Sequence, residues 1–246
     1  MTQIILASAS ARRQKLLQQM AIQAMCCPTD IDETVQANEP AQSYCQRLAL
    51  SKAQSGWHNS QQLLPVLGAD TIVVLNPNLD REISMRAQPL NAPKKSAKSL
   101  ITNQVDLVFA NSLYTSMDCT LYCDSISGFG FNEKILGKPK DENDARTMLQ
   151  QLSGRQHHVI TAIAMVFQKQ QKVLQSISTV QFATIPQHEI DSYIDSKEPM
   201  DKAGSYGIQG YAARWIKHIS GSYSGIMGLP IYETMQLINQ FCGNNE

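Results

Sequence analysis

The order of apolar patterns along the chain predicts an α/β fold. Three observations carry that prediction. Residues 65–75, PVLGADTIVVL, form a β-branched and aliphatic run of the kind buried inside a sheet, apolar stripes at helical spacing stand on either side of it, and residues 159–167 and 173–182 read as two strands of a meander. With 246 residues there is material for one large domain or two small lobes around a sizeable core.

Residues 4–7 form a short apolar strand, followed by a helix with Ser8 and Ser10 as N-cap candidates and Leu16, Leu17 and Met20 on its inner face. Arg12 and Arg13 then fall in the first turn, where the macrodipole is already positive and cations are disfavoured. Small serines, free backbone N–H groups and two guanidinium forks there make a phosphate site, against the simpler reading of two solvated arginines. Residues 28–40 are a polar, acidic loop with Asp30, Asp32, Glu33 and Glu39, in which nothing local singles out Glu33. A helix over 41–56 carries Ala41, Cys45 and Leu48 on one face, and the stripe continues to Lys52, which either snorkels or points into a polar cleft.

Asp70 breaks the apolar run of 65–75. An unpaired buried carboxylate costs several kcal/mol, so Asp70 requires a cation, a hydrogen-bond shell or a metal beside it, unless it only caps a neighbouring turn. Gly68 and Ala69 leave its approach uncrowded, and Thr71 adds a hydroxyl. From 77 to 132 no period is sustained, and so long a structureless connection is unusual inside a compact domain. It reads as an insertion dividing one catalytic domain, residues 1–76 and 133–246.

A short strand at 135–139 ends in a turn carrying Lys138, and a helix over 141–152 faces Ala145, Met148, Leu149 and Leu152 inward until Ser153 and Gly154 stop it. Short helices are expected over 186–194 and 230–241. Between them lies KEPMDKAGSYGIQG, residues 197–210, whose glycines let backbone approach a ligand closely. In it Lys202 suits a phosphate and Gln209 offers a donor and an acceptor to a nucleobase edge, unless the stretch is an ordered surface loop.

Lys and Arg number 21, as do Asp and Glu, so non-specific nucleic-acid binding has no bulk electrostatic support. No segment approaches the ~18 apolar residues of a membrane span, and the start lacks the basic region of a signal peptide. The expectation is a cytoplasmic protein without nucleic-acid or membrane partners. The six cysteines match no zinc spacing and read as reduced thiols.

Six segments together resemble the Maf family of nucleoside triphosphate pyrophosphatases: LASASARRQKLL, LGADTIVVL, ILGKP, LSGRQHHVITA, EPMDKAGSYGIQG and GSYSGIMGLPIYET. The resemblance spans the chain except residues 77–132. It implies a long, mixed, twisted sheet flanked by helices, with two lobes around a central cleft, commonly in a homodimer. It also implies hydrolysis of a nucleoside triphosphate to the monophosphate and pyrophosphate with a divalent cation, Mg²⁺ or Mn²⁺. By the same resemblance Asp70 matches the general base, and Arg12, Thr71 and Gln209 match base-selective positions of the branch acting on dTTP and UTP. Ser8, Arg13, Lys52, Lys138 and Lys202 match phosphate-holding positions, and Glu33 with Asp70 matches the metal ligands.

Two departures from the family pattern stand out. Ala11 replaces a proline at the start of the first helix, a small loss because alanine is a good helix former. The insertion separates the Asp70 strand from Lys138 by more than fifty residues. Its loop-closure cost, at ~0.6 kcal/mol per doubling, is roughly 2 to 2.5 kcal/mol, within the ~5–15 kcal/mol of a typical domain. A displaced Lys138 would turn the enzyme into a nucleotide-binding regulator of cell division, a role also associated with the family.

Overall fold

A computed structural model of the chain describes residues 2–76 and 133–243. The expected insertion at 77–132 lies outside them. The first strand, β1 (Gln3–Leu6), leads into α1 (Ala11–Gln19), β2 (Gln23–Cys26), α2 (Ala41–Asn59) and β3 (Val66–Leu75). After the undescribed stretch come β4 (Lys134–Leu136), α3 (Glu142–Leu152), β5 (Gln156–Phe167), β6 (Gln170–Phe182) and α4 (Gln187–Asp195). Three 3₁₀ turns, β7 (Ile216–Ser220), α5 (Tyr223–Ile226) and α6 (Ile231–Cys242) complete the described chain.

Among the described residues the strands form one seven-stranded mixed sheet in the order β2-β1-β3-β5-β6-β7, with β4 added to β3. The α/β class and the mixed, helix-flanked sheet agree with expectation. β1 runs parallel to β2 and β3, while β3, β5, β6 and β7 are mutually antiparallel neighbours.

The register of β3 creates the opening in which the site lies. One of its edges is covered by β5 from Val66 to Val74. On the other edge β1 pairs only with Val66 and Leu67, and β4 only with Val73, Val74 and Leu75. Between them Gly68 to Ile72 have no strand partner on that edge among the described residues. Because side chains alternate across a strand, Val66, Ile72 and Val74 pack on α2, while Leu67 and Ala69 face the core under α1 and α6. Further along that second face Val73 and Leu75 join a different core with α3 and α4. Thr71 stands where these two cores part.

The pairing of Leu75 with Lys134 and Val73 with Leu136 shows that β3 and β4 meet in register from either side of residues 77–132. α1 begins at Ala11 as expected, with Ser10 Oγ accepting the Arg13 amide. α3 starts on Asp141, which accepts from the Asp144 amide at 2.8 Å, and buries the four expected residues. α2 runs past Gly56 to Asn59, because Trp57 is buried with its ring edge-on to Phe167 at 5.8 Å. The two short strands β2 and β7 and the 3₁₀ turns of 198–215 were not expected.

His157 near the start of β5 is fully buried between Phe182 and Tyr206, with Nε2 2.8 Å from the Tyr206 hydroxyl. Burial pushes its pKa down to about 3. The folded state therefore binds fewer protons than the unfolded state between pH 6.5 and about 3, so stability falls as pH falls through that window. The expected slope from this residue is on the order of 1 kcal/mol per pH unit. Comparing the pH dependence of urea unfolding with that of His157→Leu should show the slope flattened in the variant; parallel curves would remove His157 as its source.

Candidate active site

A cleft of about 700 Å³ opens over the unpaired edge of β3, within the usual range of small-molecule sites. Its walls include every site residue expected from the sequence: Ser8, Arg12, Arg13, Glu33, Lys52, Asp70, Thr71, Lys138, Lys202 and Gln209.

Asp70 answers the question its burial raised. Lys52 Nζ donates to Asp70 Oδ1 at 2.6 Å and lies 2.7 Å from Glu33 Oε1. The Lys52 and Asp70 side chains are only 13% and 10% exposed, so the lysine at the end of the α2 stripe points into the cleft. Gly68 is what brings it there: a Cβ at this position would sit 2.3 Å from the Ala49 carbonyl oxygen and 2.5 Å from the Ala53 nitrogen. Gly68 thus serves close packing of α2 on β3 rather than leaving room for a ligand.

Glu33 reaches Lys52 because its loop is pinned at several points. Tyr44 donates to the Glu33 carbonyl at 2.8 Å, and Arg47 grips Glu39 through Nε at 2.6 Å and Nη2 at 2.8 Å while also donating to the Thr34 carbonyl. Burial raises the Glu33 pKa, but the bond and charge of Lys52, with the charges of Lys138 and Arg13, outweigh it and hold the carboxyl below its ordinary value. Burial, together with Asp70 and Glu33, pushes the Tyr44 phenol up to about 12 and keeps it a donor. Tyr44, Leu48 and Lys52 are spaced four apart on one helix face, which was the available signal for Tyr44.

Arg13 is a hub rather than a solvated charge. Its Nε donates to the Gly228 carbonyl at 2.8 Å, Nη1 to Ser8 Oγ at 3.1 Å and Nη2 to Thr71 Oγ1 at 3.2 Å. Three of five N–H groups are so engaged, leaving two for a ligand. Arg12 instead meets Asp201 Oδ2 at 3.1 Å, and Lys202 meets the same carboxylate at Oδ1, 2.6 Å away. Lys202 also donates to the Glu198 carbonyl. Burial raises the Asp201 pKa and the two cations more than offset it, so the group stays ionised well below neutrality. Asp201, linking cations from α1 and from the 198–210 stretch, was not singled out in the sequence.

Asp70 and Thr71, adjacent in β3, project to opposite faces of the sheet, yet both line the cleft because the edge between β1 and β4 is open. Gln209 is exposed at the tip of a turn closed by the Gly210 amide donating to the Gly207 carbonyl at 3.1 Å. Lys138 lies two residues past the end of β4, after Gly137, so the in-register pairing of β4 with β3 seats it in the wall.

The family model for Maf-like proteins matches residues 3–100 and 86–241. The chain belongs to the Maf family. Among its relatives, the dTTP/UTP pyrophosphatase of Nitrosomonas europaea is 36% identical over 249 residues, covering 96% of this chain and 93% of that one. The proteins of the same name from Vibrio parahaemolyticus and Aromatoleum aromaticum are 35% and 36% identical, each covering 97% of this chain and 96% and 95% of their own lengths. Among the described residues no helix is long and apolar enough to cross a membrane. Among the described residues Cys26, Cys27, Cys45 and Cys242 are free thiols, and Cys45 lies under β3 with Sγ 3.5 Å from the Asp70 carbonyl.

Proposed function

We propose that this Maf protein hydrolyses dTTP and UTP to the nucleoside monophosphate and pyrophosphate. The observation that carries the reading is the Glu33–Lys52–Asp70 constellation on the open edge of β3, in a cleft walled by Arg13, Lys138 and Lys202. The names of relatives covering nearly the whole chain support it.

Water attacks the α-phosphorus, the bond from that phosphorus to the bridging oxygen breaks, and the bridging oxygen leaves with pyrophosphate. Lys52 holds Asp70 Oδ1, so Oδ2 takes the proton of the attacking water. Arg13 and Lys138 offset the charge that gathers on the equatorial and leaving oxygens. Lys202 adds to them once the nucleotide competes for its bond to Asp201. Ser8, fixed by Arg13 and by accepting from the Ser10 amide at 3.2 Å, lines the phosphate end.

A divalent cation suits the donors on chemical grounds. Two hard carboxylates, Asp70 and Glu33, flank the Lys52 ammonium through one oxygen each, and Mg²⁺ commonly takes one or two carboxylates plus phosphate oxygens and water. Asp70 and Glu33 would hold the cation together with phosphate oxygens of the nucleotide. Bound there, Mg²⁺ or Mn²⁺ would lower the pKa of water and screen the triphosphate. A cytoplasmic homodimer completes the proposal, the oligomer being checked by light scattering after gel filtration.

Arg12, Thr71 and Gln209 line one cavity as base-reading candidates. Thymine and uracil present an N–H between two carbonyls, and an amide answers with one donor and one acceptor. Gln209→Ala should raise KM for dTTP and UTP about tenfold while changing that for unrelated triphosphates little; equal effects on all nucleotides would contradict base reading. The function itself is tested by pyrophosphate release from a panel of triphosphates with Mg²⁺ or Mn²⁺ and with chelator. Metal-dependent release from dTTP and UTP is expected, and a folded protein that binds nucleotide without turnover would instead support the regulatory role. The seating of Lys138 in the cleft wall speaks against that role.

A further inference from the structure

The turn carrying Gln209 is tied to the Glu198 carboxylate at both ends, directly on one side and through the Tyr193 hydroxyl on the other. Glu198 Oε2 accepts the Tyr211 amide at 3.3 Å on the far side of Gln209. Its Oε1 accepts the Tyr193 hydroxyl at 3.1 Å, and that hydroxyl in turn accepts the Gly207 amide at 3.3 Å on the near side. The Tyr193 ring stacks on Tyr211 at 5.5 Å and 17°, so the same tyrosine braces the turn by contact and by hydrogen bond. Gly210 is where the carboxylate nests, since a Cβ there would lie 1.7 Å from Glu198 Oε1. Three groups from α4 and the 3₁₀ turn Glu198–Asp201 thereby fix the backbone from 207 to 211.

We infer that Glu198 and Tyr193 are positioning residues for pyrimidine selectivity, holding the Gln209 turn in the geometry that reads the base. This rests on the assignment of Gln209 as a base reader. A turn fixed at only one end samples other placements of Gln209, and a hydrogen-bonding site loses discrimination when its partner is no longer pre-oriented. Gln at 198 fits the space of Glu but presents an NH₂ where a carboxylate oxygen accepted, so it cannot serve both donors as before. Phe at 193 keeps the stacked ring and removes only the hydroxyl that links Gly207 to Glu198.

The test compares kcat and KM for dTTP and dCTP in wild type, Glu198→Gln, Tyr193→Phe, Gln209→Ala and the Glu198→Gln/Gln209→Ala double variant, with thermal melting as the check on folding. Glu198→Gln and Tyr193→Phe should each lower the dTTP:dCTP ratio of kcat/KM about five- to tenfold, chiefly through KM for dTTP, with kcat for dCTP unchanged. The double variant should discriminate no worse than Gln209→Ala alone. If Gln209→Ala retains the preference for dTTP, the base-reading assignment fails. If Gln209→Ala loses it while Glu198→Gln and Tyr193→Phe keep it, the positioning role is overturned. An equal loss on both nucleotides, or a further loss of discrimination in the double variant, would overturn it as well. Should Glu198→Gln melt early, Tyr193→Phe decides the matter alone.

Discussion

Asp70→Asn is expected to lower dTTP and UTP turnover about a hundred- to ten-thousandfold, the usual range for removing a general base, and to leave the fold intact. The two halves of that expectation have separate causes. Turnover falls because an amide cannot take the proton of the attacking water. The fold survives because Lys52 keeps its second partner, Glu33 at 2.7 Å, and because the amide oxygen of Asn can still accept the bond now made by Asp70 Oδ1. Breaking a buried ion pair commonly costs ~3–5 kcal/mol when the remaining charge is stranded; here the lysine is not stranded, and a loss of about 1 kcal/mol, the difference between a hydrogen bond to a charged and to a neutral acceptor, is expected. Steady-state kinetics alongside urea unfolding separate the two. Near wild-type turnover would remove Asp70 from the mechanism, and a collapsed fold would show that its charge is needed structurally.

How legible the site was depended on how local its causes are. Asp70 announced itself because a charge within a β-branched strand contradicts its surroundings, and that contradiction is written in eleven consecutive residues. Lys52 was placed on the right helix face by spacing alone, and only the direction of its ammonium was open. Glu33 could not be distinguished from Asp30, Asp32 or Glu39 without the Tyr44 bond and the Arg47–Glu39 clamp, which exist only once α2 and the loop have met. Arg13 and Arg12 looked alike in sequence, yet one ties Ser8, Thr71 and Gly228 together and the other faces Asp201. β2 left no pattern to detect: it has four residues and is largely exposed, so it needs no alternation and forms because β1 offers it a parallel edge. The 197–210 stretch read as a glycine-rich loop because it is held by bonds to Glu198, Tyr193 and Gly137 rather than by apolar period.

Gly68→Ala should show how closely the chemistry depends on the packing of α2 on β3. The added methyl has no space to enter: the atoms it would meet, at 2.3 and 2.5 Å, are the backbone oxygen of Ala49 and the backbone nitrogen of Ala53, which cannot rotate away as a side-chain end would. Helix and strand must separate instead. Overpacking of this kind typically costs ~1–3 kcal/mol, or a Tm lower by roughly 2 to 10 °C for a chain of this size. The contact to be stretched lies between the turn that delivers Lys52 and the strand that carries Asp70 two residues further on. A shift of about 1 Å there can cost a hundredfold in rate when the groups involved orient the reaction. The expected result is therefore a fall in kcat, measured well below the melting temperature on fully folded protein, much larger than the change in stability accounts for. If Gly68→Ala melted early yet turned over dTTP at the wild-type rate, α2 would have to move without carrying Lys52 away from Asp70. The 2.6 Å bond between them would then be a consequence of the resting charge balance rather than a requirement of catalysis.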